Sequence, residues 1–155
     1  THHKVVMRLK AETNGAQILA RLIGGGSAVT SSIYGWASNY IGSHSNSSAP
    51  STVAAAEGTD EWRFTRDGLS STGLNFWTFD IHGLNYSSTI DGDDDCVQIW
   101  AHSANNNQDG SGRMHGTQAF ARITRGSSVS NQTGIKFYMS AGNINGTYCV
   151  YGYKK

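Results

Sequence analysis

At 155 residues the chain has the length of one domain, enough to bury roughly two thirds of its unfolded surface. Only 15% of its residues are charged and the net charge is +1, which gives no electrostatic reason to expect a nucleic acid or an anionic membrane as partner. No apolar run approaches the ~18 residues a membrane-spanning helix needs and the N-terminus has no apolar h-region, so no membrane insertion is expected.

Short alternating segments predict strands near Lys4 to Lys10, Gln17 to Ile23, Ser32 to Trp36, Glu61 to Thr65 and Asn75 to Gly83. Others follow near Cys96 to His102, Thr117 to Thr124, Ile135 to Ser140 and Thr147 to Lys154. Period two is visible within them. Val5, Met7 and Leu9 oppose Val6 and Arg8; Ile18, Ala20 and Leu22 oppose Leu19, Arg21 and Ile23; Trp62 and Phe64 oppose Glu61, Arg63 and Thr65. The segment Leu74 to Ile81 is apolar on both faces, Phe76 with Trp77 and Phe79 with Ile81, which suits a central strand or one covered by a neighbouring subunit. The stretch from Tyr40 to Gly58 shows no regular pattern and reads as a long loop, functional or mobile. Near the end, Ile135 to Met139 and Thr147 to Tyr153 alternate on either side of a turn with Gly142, Asn143 and Gly146, which predicts a β-hairpin closing the domain. No linker, repeat or charge block divides the chain, and no dozen residues hold a helical apolar stripe. The expectation is one all-β antiparallel sandwich over residues 1–155.

Few residues suggest chemistry. Asp91, Asp93, Asp94 and Asp95 in IDGDDDC have the alternate carboxylates of a calcium loop, with Asp91, Asp93 and Asp95 as the candidate ligands. The EF-hand template fails, because Cys96 stands where it needs Gly and His102 where it needs Glu; a solvated acidic turn is the alternative. His44, His82, His102 and His115 show no zinc-ligand spacing, and no GxSxG elbow is present. No catalytic residue is assigned. Asn105, Asn106 and Asn107 open the segment NNNQDGSG, either a plain hairpin loop or a set of donors and acceptors for a sugar. Tyr34, Trp36 and Tyr40 lie amid Gly, Ser and Asn, a mixture that suits sugar recognition, since rings stack on apolar sugar faces while small polar neighbours bond hydroxyls. The competing reading makes Trp36 ordinary core with the tyrosines covering its edge.

The C-terminal string GIKFYMSAGNINGTYCVYGYKK, residues 134–155, resembles the C-terminal signature of a group of bacteriophage virion proteins, mostly tail fibre and tailspike domains. A second stretch is similar in the same order: Thr13-Asn14-Gly15-Ala16, then Gln17 to Leu22, Gly24 to Gly26, and Gly35 and Tyr40 in an aromatic, serine-rich region. The resemblance implies a jelly-roll-like β-sandwich in a virion assembled in the bacterial cytoplasm. It further implies a homotrimer without enzymatic activity or cofactor, touching other virion proteins and binding carbohydrate on the host surface. A head-decoration (cement) protein that stabilises the capsid is the alternative, and suits so short a chain. Nothing in the resemblance assigns a role to Asp91 to Asp95 or to Asn105 to Gly112. A reducing cytosol would keep Cys96 and Cys149 as thiols; a secreted chain could pair them.

Overall fold

The computed structural model describes residues 2–42, 51–65, 68–84, 90–91, 97–106, 114–124 and 128–153. Thirteen strands occupy them: β1 (His2–Ala11), β2 (Ile18–Gly24), β3 (Ser27–Ala28), β4 (Tyr34–Gly42), β5 (Ser51–Thr59), β6 (Trp62–Arg63), β7 (Asn75–His82), β8 (Ile90–Asp91), β9 (Gln98–Asn106), β10 (Met114–Ile123), β11 (Ser128–Val129), β12 (Gln132–Met139) and β13 (Ile144–Tyr153). Seven of them form one antiparallel sheet in the order β13-β1-β7-β9-β10-β4-β5. Strands β12, β2 and β3, with β6 alongside β2, form a second sheet of four, and β8 pairs with β11 as a short ribbon.

The two larger sheets pack face to face, and alternation decides what lies between them. Val5, Met7, Leu9 and Ala11 of β1 and Trp77, Phe79 and Ile81 of β7 are buried, while Arg8, Lys10 and Phe76 point outward. Phe79 meets Phe64 edge-on at 5.0 Å and Phe137 of the opposite sheet at 4.7 Å. Tyr34 meets Trp62 edge-on at 4.9 Å. Each such ring contributes about 1.5–3 kcal/mol by burial, and a favourable aromatic pair adds about 0.5–1.5 kcal/mol. Polar tips fix the alignment of the sheets. The Tyr34 hydroxyl accepts from Leu22 N–H at 3.1 Å and donates to the Val29 carbonyl at 2.8 Å, and Trp62 Nε1 donates to the Arg122 carbonyl at 2.7 Å.

Three sequence expectations change. The last two strands are not a hairpin: β12 pairs with β2 in the smaller sheet and β13 pairs with β1 at the edge of the larger one. Period two identifies a strand but not its partner, and here the connection crosses between layers. Glu12 and Asn143 hold that corner, Glu12 N–H donating to Asn143 O at 3.1 Å and Asn143 N–H to Glu12 Oε2 at 2.7 Å. Gly142 has φ +67°, and a Cβ there would lie 2.5 Å from Thr13 Oγ1, so both conformation and space call for glycine. One consequence is that Tyr148 and Val150 of this edge strand are 72% and 56% exposed.

The expected long loop from Tyr40 to Gly58 is mostly strand. β4 continues to Gly42 and pairs with β5, while residues 43–50 lie outside the described residues. The alanines and serines there carry little alternation, so the ladder rather than side-chain burial defines the strand. Likewise β9 and β10 extend into the expected NNNQDGSG loop, carrying Asn105 opposite His115 and Asn106 opposite Met114. Strand β7, apolar on both faces, is central as expected, flanked by β1 and β9.

Candidate functional site

The outward face of the seven-stranded sheet carries the clearest site. Its register sets side chains in rows across the strands, and one row reads Tyr151, Lys4, Asp80, Trp100, Phe120, Ala37, Ala55. Trp100 and Phe120 are directly opposed, 48% and 42% exposed, with their rings edge-on at 4.9 Å. Beside them the surface drops, because Ala37, Ala55 and Gly35 have little or no side chain. A shallow cleft of about 310 Å³ results, lined by these residues together with Gln98, Glu57 and Arg122. At its rim Arg122 Nη2 lies 3.2 Å from Glu57 Oε1, both side chains being exposed.

This arrangement can hold a flat ring with one apolar face. Aromatic walls and an alanine floor meet C–H surface, and the guanidinium, carboxylate and amide at the rim offer donors and acceptors to hydroxyls. Arg122 and Glu57 cancel in charge, so the cleft itself favours a neutral ligand over an ionic one.

The sequence candidates are placed otherwise. Tyr34 is fully buried with its hydroxyl engaged inside the fold, so no ring face is open to a sugar. Burial pushes its ionisation up to about 12, against smaller opposing contributions from the Leu22 amide and Arg21. Trp36 is half-buried against the core with the Arg63 guanidinium 5.6 Å from its ring centre, and it also lines the cleft. Tyr40 is half-buried in β4, in register with Thr117. Tyr34, Trp36 and Tyr40 therefore share one side of β4, opposite the side that sets Ala37 against Phe120, although Trp36 also contributes to the cleft lining. Asn105 and Asn106 belong to β9, and Asn107 lies outside the described residues. Asp91 pairs with Ser128 in the β8–β11 ribbon, while Asp93 and Asp95 lie outside the described residues. Among the described residues no three His, Cys, Asp or Glu side chains converge as a metal site. Cys149 is a free, exposed thiol.

Two other polar clusters are structural. On the smaller sheet the Tyr138 hydroxyl donates to Glu61 Oε2, and Arg21 reaches Asp60 at 2.8 Å and Glu61 at 3.3 Å. Burial first, and then the bond to Glu61, holds the Tyr138 proton in place well above the ordinary phenol range. Every charge in this cluster has a partner, which is how a solvated ion network closes a sheet face. At the edge of the larger sheet His2 stacks between His82, at 4.1 Å, and Tyr153, at 4.9 Å, with Asp80 Oδ1 3.5 Å from both His2 Nε2 and Lys4 Nζ.

Compared with known proteins, the chain matches no family model, no curated protein and no solved structure.

Proposed function

We propose that this chain is a carbohydrate-binding module of a phage virion, serving as the receptor-binding domain of a tail fibre or tailspike. The cleft walled by Trp100 and Phe120 carries the sugar-binding part of this reading. Exposed aromatic side chains beside a small-residue floor, with a neutral polar rim, match the amphipathic shape of a pyranose. The virion part rests on the likeness of residues 134–155 to tail-protein C-termini, and an all-β antiparallel sandwich agrees with it.

Binding of the purified chain to a glycan array and to bacterial surface polysaccharide tests the reading, with Trp100→Ala as control. Selective binding that Trp100→Ala weakens about 5- to 10-fold supports it; absence of binding to any glycan refutes it. A second reading, a head-decoration protein, draws support from the open apolar groove between β12 and β13, a surface suited to subunit contact. Attachment to undecorated capsids without glycan binding would favour that reading.

A further inference from the structure

Strand β13 runs ten residues along the edge of the larger sheet, and among the described residues its only partner is β1. An edge strand presents unpaired N–H and C=O groups, and proteins usually blunt such edges with charge, proline, a bulge or a cover. Among the described residues β13 has none of these. Its register with β1 is unbroken from Ile144 to Tyr153, INGTYCVYGY contains neither charge nor proline, and every residue after Ile144 is exposed. The opposite edge differs, since β5 carries Glu57 and a register shift against β4. Beneath β13 the smaller sheet stops at β12. An open apolar groove of about 600 Å³ remains, lined by Val5, Met7, Ile135, Phe137, Tyr148 and Val150 among others.

We propose that a second copy of this chain covers this edge, its β13 pairing antiparallel with β13 across a twofold axis. The same edge on two copies is self-complementary under a twofold, whereas the threefold ring implied by the resemblance would need β13 to meet a different surface. A twofold perpendicular to the sheet keeps both smaller sheets on one side, and it requires a residue at the centre that faces its own copy. With Cys149 at the centre, residues 145–153 pair. Val150 then lies opposite Tyr148 of the other copy twice over, a favourable β-branched and aromatic pairing, and Tyr151 lies opposite Thr147. Centring on Tyr148 would instead oppose Val150 to Gly146 and waste it.

The area suffices. Tyr148, Tyr151 and Tyr153 are 72%, 52% and 49% exposed. At about 200 Å² per ring, two copies bring on the order of 700 Å² from these side chains alone. Val150, the strand backbone and the groove rim extend the contact toward the roughly 1,200–2,000 Å² of stable interfaces.

Light scattering on the full chain should give twice 16.7 kDa at high micromolar concentration. A short thiol-specific cross-linker should join Cys149 to Cys149, as mapped by peptide mass. Val150→Lys and Tyr148→Lys change side chains already exposed in one copy, so the variants should keep the fold at low concentration yet remain monomeric at high. A monomer at high micromolar concentration, a threefold mass, cross-links that omit Cys149, or a dimer indifferent to Val150→Lys would each overturn the proposal. None of these outcomes depends on glycan binding.

Discussion

Replacing Tyr34 with Phe removes one oxygen from between the sheets and leaves the ring in place. That oxygen accepts from Leu22 N–H and donates to the Val29 carbonyl. Each bond is worth about 0.5–1.5 kcal/mol net, and the Leu22 amide, on a residue with no exposed surface, is left without this acceptor. A loss of about 2–3 kcal/mol follows, which for a domain of this size lowers the melting temperature by roughly 4–12 °C. Alkaline titration provides a second readout. The unfolded phenol ionises near 10 and the folded one at about 12, so the folded state holds the proton longer. Stability contributed by neutral Tyr34 is complete below pH 10 and is lost as pH rises between about 10 and 12. Tyr34→Phe should remove its share of that alkaline decline. An unchanged melting temperature, with Tyr34 ionising near 10, would refute the core assignment and return Tyr34 to an open surface.

Trp100→Ala should weaken glycan binding about 5- to 10-fold, the equivalent of about 1–1.4 kcal/mol of ring contact. Because Trp100 is half exposed, its melting temperature should fall only slightly; strong binding by the variant would move the site elsewhere. Gly142→Ala places a side chain at φ +67° beside Thr13 and should cost about 1–2 kcal/mol, measured by denaturant unfolding; a neutral result would mean that the corner relaxes freely. Burial, and then the charge of His2, lowers the His82 pKa despite Asp80. The unfolded chain therefore takes up a proton first, and stability falls as pH drops below about 6.5. Melting curves between pH 7.5 and 5 should show a decline that His82→Gln lessens; parallel curves for the two proteins would contradict this.

The inward faces of β1, β2 and β7 were legible because each sets large apolar residues against polar ones at period two, and burial enforces that choice. Partners were not legible. The pattern of β12 and β13 is that of a hairpin, yet the bonds between Glu12 and Asn143 turn the chain across the sandwich instead. Strand β5 escaped notice because TVAAAEG offers no large residue to mark a side.

The aromatic cleft was missed for a related reason, and the signal lay in an inverted pattern. In QIWAHS and TQAFARI the inward positions hold Ile99, Ala101, Ala119 and Ala121, while the outward ones hold Trp100 and Phe120. Small residues suffice inside because Tyr34 and Trp62 already occupy the space between the sheets there, with Trp62 reaching across to the Arg122 carbonyl. Large rings outside then owe nothing to the core. Leaving a Trp half in water forgoes part of a burial worth a few kcal/mol, and its ring is set edge-on to Phe120 on the outward face. A strand that keeps its alanines in and its aromatics out, next to another that does the same, is the sequence signal that the proposed sugar cleft would carry.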